Sequence, residues 1–407
     1  MAEHIDYLII GGGPAGTMAA EAIRQRDQGG RIIIVTREPY RLYSRISLPY
    51  YVKGTKTREQ LFLRQEAQYT DARIDCWMNT EVAKLDLAGK IATTADGKSI
   101  QYSKLLISSG GTPFSWGVPG GDRKGVQQLN TLDQAQVIVD LLPTTNDMVI
   151  VGGGFISLEF CGIAGHHGKR ATVLVLEPYY WANLLDEVSG NLIKKYLTEN
   201  GIIVRTGEEV AEVLGDDRVT GVKTKKGETI PAEMVGVGIG VKRNLDFLQG
   251  TSVTVEKGVV TNEFLEASVP DVWAAGDVAE FQDIVIAKRH MLGNWSNATD
   301  QGRRAGLNMA GEKAALESVS AYSITTFDMN VTFLGDPKPE MAETIERGDR
   351  ETNFGRIFVV QGKVVGATLI NRVADKMPLM NLIRRKTPID AKFRATLSDH
   401  RTPLTVS

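Results

Sequence analysis

The stretch Tyr7-Leu8-Ile9-Ile10-Gly11-Gly12-Gly13-Pro14-Ala15-Gly16 decides the fold. Its first four residues are an uninterrupted apolar run, as a parallel strand buried on both faces requires. The next six match G-x-G-x-x-G. In that pattern the first glycine permits a tight strand-to-helix turn. The second lets backbone amides approach a pyrophosphate, and the third lets the helix pack close to the strand. Met18 to Arg26 reads as the helix that follows, whose N-terminus offers unpaired N–H groups and a positive dipole end. Arg31-Ile32-Ile33-Ile34-Val35 reads as a second buried strand, and Glu38 just beyond it can take ribose hydroxyls. A ligand-free glycine turn would explain the turn, but not the agreement of strand, turn, helix and acid.

The pattern recurs at Met148-Val149-Ile150-Val151, followed by Gly152-Gly153-Gly154-Phe155-Ile156-Ser157. Ser157 stands in the third glycine position, where a small residue preserves close packing. A helix through about Gly165 and a strand Ala171 to Leu176 complete the unit, and Glu177 ends it. A carboxylate there suits a ribose diol and repels a 2′-phosphate, and no Arg or Lys follows in Pro178-Tyr179-Tyr180-Trp181. NADH is therefore expected over NADPH. The spacing from Gly11 to Gly152 is far too long for a solenoid repeat and implies two nucleotide-binding domains of one design.

Three further apolar strands end in turns: Leu105-Leu106-Ile107 before Ser108-Ser109-Gly110-Gly111, Val235 to Gly240, and Val272-Trp273-Ala274-Ala275 before Gly276-Asp277. The last ninety or so residues change to short alternating segments such as Ser323 to Leu334 and Arg356 to Val360, with turn signals such as Gln361-Gly362-Lys363. The expected class is α/β, with two Rossmann-like, doubly wound nucleotide-binding domains and a C-terminal α+β domain.

Composition narrows the function. The formal net charge of −2 gives no reason to expect nucleic-acid binding. No apolar run is long enough to span a bilayer, and Met1 to Asp6 has no basic or cleavable apolar character, so a cytoplasmic protein without membrane contact is expected. The two cysteines, Cys76 and Cys161, form neither a disulfide framework nor a CxxC pair. An iron–sulfur cluster held by this chain alone would need four thiolates, so such chemistry must come from a partner. The five histidines nominate no metal site. His166-His167 at a helix end suits a C-terminal dipole.

With these motifs in order, the chain resembles the FAD-dependent pyridine nucleotide-disulfide oxidoreductase superfamily. The nearest branches are ferredoxin and rubredoxin reductases, nitrite reductase flavin domains and NADH oxidases. The resemblance also rests on Tyr43-Ser44-Arg45, Leu48-Pro49-Tyr50-Tyr51, Asp271 to Asp277, Trp295-Ser296-Asn297-Ala298 and Gln301-Gly302-Arg303. It implies a discontinuous FAD domain over 1–112 and 251–317, an NAD domain over 113–250, and an interface domain over 318–407. Residues implied for FAD are Gly11, Gly13, Pro14, Ala15, Gly16, Glu38, Arg45, Ser109, Gly110, Gly276, Asp277 and Trp295. Those implied for NAD are Gly152, Gly154, Phe155, Ile156, Glu177, Gly238 and Gly240. Glu159 would position the nicotinamide, although an ordinary acid near a helix N-terminus is the simpler alternative. A lysine often pairs with this acid in ferredoxin reductases, and its place by position is held here by Tyr50.

One departure shapes the expected chemistry. Where many members carry a redox cysteine before the Leu-Pro-Tyr segment, this chain has Ile46 and Ser47, which form no thiolate. Cys76, in a segment expected to be peripheral, and Cys161, in the second helix, read as inert. The resemblance then implies hydride transfer from NADH to flavin and onward transfer to an acceptor. That acceptor would be a rubredoxin, a ferredoxin, or an iron–sulfur or metal-bearing subunit. The C-terminal domain would serve dimer contacts or partner docking. An NADH oxidase reducing oxygen at the flavin is the second reading. A non-catalytic NADH-sensing flavoprotein of the apoptosis-inducing-factor type is the third. The run Arg384-Arg385-Lys386 reads as a solvated helix face, or as a docking site for an acidic carrier.

Overall fold

The computed structural model describes residues 4–404, so Met1, Ala2 and Glu3 of the N-terminal segment lie outside the described residues. The chain divides into two compact units. One comprises Met1–Ser44, Phe62–Thr112 and Lys242–Ser320. The other comprises Arg45–Leu61, Pro113–Val241 and Ala321–Ser407.

In the first unit the strand His4–Ile10 lies between the parallel strands Ile32–Val35 and Ser99–Ile107, with Ile9 opposite both Ile34 and Leu106. Ile74–Trp77 forms one edge beyond Ile32–Val35. The antiparallel strands Ile91–Thr94 and Val82–Asp86 extend the other side. Val272–Ala274 pairs in parallel with Ser99–Ile107. The uninterrupted apolar runs follow from this placement. Ile9, Ile32 and Ile34 pack on one face with Ala19 and Ile23, while Leu8, Ile33 and Leu105 pack on the other. The helix begins at Pro14, four residues before the expected Met18. Proline suits this first position because its φ is already helical and its missing N–H would be unpaired there anyway. The helix Trp295–Met309 packs against it through glycines. A Cβ at Gly302 would lie 2.1 Å from the Ala15 carbonyl oxygen, and one at Gly306 would lie 2.3 Å from that of Ala19.

The second unit repeats the design. Asp147–Val151 lies between the parallel strands Arg170–Val175 and Met234–Val237, with Ile203–Thr206 and Val126–Gln127 at the edges. The helix Phe155–His166 follows the glycine turn. A three-stranded antiparallel sheet, Val210–Leu214, Gly221–Thr224 and Thr229–Pro231, packs its valines and Ile230 against Val149 and Leu174.

The C-terminal segment forms a five-stranded antiparallel sheet in the order Ala321–Thr326, Met329–Gly335, Lys363–Ile370, Asn353–Val360, Glu343–Asp349. The expected turn at Gln361-Gly362 is a two-residue hairpin loop with φ of 49° and 70°, the left-handed geometry that matches strand twist. Residues 323–334 form two strands. The turn between them presses the Phe327 ring onto Gly165, where a Cβ would lie 2.2 Å from it. Buried Arg347 pairs with Asp375 at 3.0 Å and donates to carbonyls of Leu397 at 3.2 Å and Thr402 at 2.6 Å, which ties the C-terminal helix and tail to the sheet. Among the described residues no helix is long and apolar enough to cross a membrane.

The glycine seam of the first unit gives a direct test. Gly302→Ala must push the facing backbones apart, and overpacking of this kind costs about 1–3 kcal/mol. The variant should melt several degrees below the parent in thermal unfolding. An unchanged melting temperature would contradict so close a seam.

Candidate functional site

Each glycine-rich turn is a cradle shaped by a close backbone approach. Gly11 has φ of 117°, and a Cβ there would sit 2.2 Å from the Ser108 carbonyl oxygen. Gly152 has φ of 114°, and its Cβ would sit 2.3 Å from the Gly238 carbonyl oxygen. At Gly16 a Cβ would fall 1.9 Å from the Gly11 carbonyl oxygen. These three positions must be glycine for the chain to pass.

The middle glycines behave differently. A Cβ at Gly13 meets nothing within 4 Å, and one at Gly154 meets only the Trp181 indole nitrogen at 3.9 Å. Their packing imposes no need for glycine, and both open onto free space at the helix start, as backbone approach to a diphosphate would require. The helix Pro14–Arg26 has no side-chain cap, and neither helix carries an acid in its first turn. With Pro14 lacking an N–H, the free amides at the first turn are those of Ala15 and Gly16. Those at the second turn include Phe155 and Ile156. The residues present fit two dinucleotides.

The remaining residues expected at the first turn lie in the first unit, apart from Arg45. Glu38 follows the strand Ile32–Val35, and Tyr43 donates its hydroxyl to Glu38 Oε2 at 2.6 Å. Ser109 donates Oγ to the Asn244 carbonyl at 2.7 Å, and Asn244 Nδ2 donates to the Ser109 carbonyl at 3.0 Å. The Asn244 amide donates to Gly110, which has φ of 64°. Gly276, with φ of 80°, donates its amide to buried Gln301 Oε1 at 2.7 Å. Arg243 Nε donates to the Asp277 carbonyl at 3.3 Å. Trp295 opens its helix, half-buried, beside the Asn294 cap. Arg45 falls in the second unit, where its guanidinium donates to the Asn130 carbonyl.

At the second turn, Gly238 donates its amide to Val151 at 2.8 Å and packs against Ile156, and Gly240 has φ of 99° beside the Phe114 ring. Glu177 accepts from the Gly207 amide through its carbonyl at 3.0 Å, which fixes the acid's backbone at the end of its strand.

Glu159 is the fifth residue of its helix, one beyond the first turn, where the dipole argument for an ordinary capping acid weakens. Burial raises its carboxyl to about 7, and the nearby Lys53 charge opposes that rise. Tyr50 holds the position expected of a lysine, but Lys53, one residue past the short helix Leu48–Val52, supplies the cation. Its Nζ lies 3.0 Å from where a Cβ of Gly162 would be, one turn along from Glu159. Lys53 thus places a positive charge near Glu159 from outside the position expected of the lysine. Tyr50 is 45% exposed, with the Lys53 and Lys56 ammonium groups 5.7 and 5.8 Å from its ring centroid. His167 Nε2 donates to the Val52 carbonyl at 2.9 Å and so ties the short helix to the end of the helix that carries Glu159.

Neither cysteine has the setting of a reactive thiol. Cys161 is wholly buried, and burial pushes its thiol far up. Cys76 lies in the edge strand Ile74–Trp77, where burial raises its thiol and Arg41 only partly opposes that. Among the described residues no three His, Cys, Asp or Glu side chains gather as a metal site would need.

Comparison with known proteins places this geometry. The family profile for pyridine nucleotide-disulphide oxidoreductases matches residues 5–302. The ferredoxin reductase subunit of 5,5'-dehydrodivanillate O-demethylase from Sphingobium sp. (strain NBRC 103272 / SYK-6) is 30% identical over 98% of each chain. The epsilon subunit of NADH-dependent phenylglyoxylate dehydrogenase from Aromatoleum evansii is 28% identical over 97% of this chain and 95% of that one. The crystal structure of the ferredoxin reductase for the CYP199A2 system from Rhodopseudomonas palustris superposes with a TM-score of 0.89 at 26% identity. That match covers 97% of this chain and 100% of the other.

Two outcomes test the site. Gly13→Ala should fold with the parent's thermal stability but purify with much less bound FAD, because its methyl enters open space that a diphosphate would take. Full FAD retention would contradict the cradle. Glu159 has a folded pKa raised above its ordinary value of 4.5, so its neutral form contributes stability that is complete below about 4.5. That contribution is lost as pH rises through about 7. Chemical denaturation of Glu159→Gln across this window should show a shallower fall in stability than the parent, and parallel curves would contradict the assignment.

Proposed function

The chain belongs to the pyridine nucleotide-disulphide oxidoreductase family and is an oxidoreductase that uses FAD and NAD(H); on that premise we propose that it takes electrons from NADH and passes them to a protein electron carrier or an iron–sulfur or metal-bearing partner subunit. The observation that carries this reading is the segment Arg45-Ile46-Ser47-Leu48, which has no thiol where disulfide-reducing relatives need one. Bound FAD would supply the exchange between a two-electron donor and a one-electron acceptor.

The chain's own groups provide orientation and a matched charge. The amides at Ala15 and Gly16 would hold the FAD diphosphate, with Glu38 on its ribose, and Ser109, Gly110, Gly276, Asp277 and Trp295 lining the remainder. Phe155 and Ile156 would hold the NADH diphosphate, with Glu177 on the adenosine ribose and Gly238 and Gly240 giving passage to the nicotinamide half. Glu159, with Lys53 nearby, would receive the carboxamide. A carboxyl held near neutrality accepts or donates a hydrogen bond with little change in charge. Tyr50 would stand beside that pair.

The acceptor reading draws on the named partners of the relatives, which are a ferredoxin in one case and a multi-subunit NADH-dependent dehydrogenase in the other. Exposed Arg384, Arg385 and Lys386, at the end of the helix Lys376–Arg385, would suit an acidic carrier.

Stopped-flow reduction of the FAD-loaded protein tests the donor. NADH should reduce the flavin far faster than NADPH, and Glu177→Ala should narrow that ratio by about tenfold, the order of one lost charged contact. A parent that prefers NADPH would refute the assignment. For the acceptor, reduction of an added ferredoxin or rubredoxin should outpace oxygen consumption. Faster turnover with oxygen alone would make the protein an oxidase.

A further inference from the structure

Ser157 does more than fill a glycine position. It is wholly buried and lies at the third helical position after the turn. Gly154 donates its amide to Ser157 Oγ at 2.9 Å, and Oγ stands 2.7 Å from the Gly154 carbonyl oxygen. A third partner, Tyr180 Oη, lies 2.6 Å away. A serine hydroxyl has one proton and two lone pairs. Its proton goes to the Gly154 carbonyl, which can only accept. One lone pair takes the Gly154 N–H, so the Tyr180 hydroxyl donates to the other. Every valence is used, and the phenol is fixed as the donor.

Tyr180 lies three residues beyond Glu177 and is also wholly buried. The next residue reinforces the joint. Trp181 takes a left-handed φ of 62°, costly for a bulky residue, and sets its ring edge-on to Phe155 at 4.4 Å. Its amide nitrogen would lie 3.4 Å from a Cβ on Gly153. Phe333 and Tyr322 of the C-terminal sheet close around this pair, with Phe155 4.9 Å from Tyr322 and Trp181 5.0 Å from Phe333. The loop with the ribose acid is therefore fastened to the turn with the diphosphate amides. A third glycine, as at Gly16, could not make this bond because it has no hydroxyl.

We propose that Tyr180 is a positioning residue for NADH: through Ser157 it locks the Glu177 loop to the Gly152–Ser157 turn, so that ribose and diphosphate are recognised at one fixed spacing. The inference rests on the assignment of this turn to NADH. Preorganisation of this kind lowers the cost of ordering a loop when ligand binds. It acts on the ADP half of the dinucleotide, not on the redox end. The clamp therefore governs KM and the affinity for ADP-ribose, and leaves the limiting rate of flavin reduction unchanged.

The test is a double-mutant cycle with Tyr180→Phe, Ser157→Ala and the pair, in the FAD-loaded full-length protein. Rates of anaerobic flavin reduction are measured against NADH concentration, and ADP-ribose serves as a competing probe. Each single variant should raise the NADH concentration for half-maximal rate by roughly five-fold, the scale of one buried hydrogen bond. The limiting rate should stay within about two-fold, and the double variant should be no worse than either single one. Leu197→Ala, a buried truncation elsewhere in the second unit, controls for lost stability and should leave half-saturation unchanged. Additive effects, a fall in limiting rate without a change in half-saturation, or an equal shift in Leu197→Ala would overturn the clamp. So would an unchanged Tyr180→Phe beside a Glu177→Ala that does weaken NADH, while the site assignment would stand. If Glu177→Ala also has no effect, the assignment of the turn fails with it.

Discussion

Everything in this protein depends on two places where the backbone passes a carbonyl too closely for any side chain. At Gly11 the obstructing oxygen belongs to Ser108, and at Gly152 to Gly238, each just past the strand next to the one that ends in the turn. That crowding forces a glycine and sends the chain straight from strand into helix. The open positions, Gly13 and Gly154, are then left facing the helix amides. The same steric constraint that builds the turn leaves the helix amides where an anion would be held, which is why one sequence pattern bears on both fold and proposed chemistry.

The helix Phe155–His166 organises the second unit along its length. Its start joins the glycine turn to the acid loop through Ser157. Its middle carries Glu159, whose carboxyl is held near neutrality, and Gly162, where Lys53 approaches. Its end accepts Phe327 of the C-terminal sheet at Gly165 and ties the short helix bearing Tyr50 through His167. Thr326 adds a buried hydrogen bond to the Leu158 carbonyl at 3.1 Å. Small residues recur at contact points because two other segments press on the same face. The C-terminal sheet is thereby joined to the helix that would carry the nicotinamide contact.

Much of this is legible in the sequence. Buried parallel strands appear as runs such as Ile32 to Val35, and the glycine motifs fix where each strand turns into a helix. Glu177 can be placed because strand length sets its position. Helix starts are less legible: Pro14 reads as a turn residue, but it is the first helical residue. Lys53 escapes notice as a charge near Glu159 because position along the chain points to Tyr50. A helix of only five residues rotates the next side chains in a way that spacing alone does not give. The Ser157–Tyr180 bond joins residues from two elements, and neither carries a local pattern. Arg347 is likewise an ordinary charge in an alternating strand until the chain's last helix brings carbonyls to it.

The central claim is that electrons pass between a nicotinamide and a flavin held by this chain, with no sulfur of the chain in the path. The most direct measurement is an anaerobic spectroscopic titration with NADH of the FAD-loaded parent and of its Cys76→Ser, Cys161→Ala double variant, which removes both thiols. The account predicts that the flavin is bleached by about one NADH per FAD in both preparations. It also predicts no long-wavelength thiolate-to-flavin absorbance. A requirement for about two NADH per FAD, or loss of bleaching in the double variant, would contradict it.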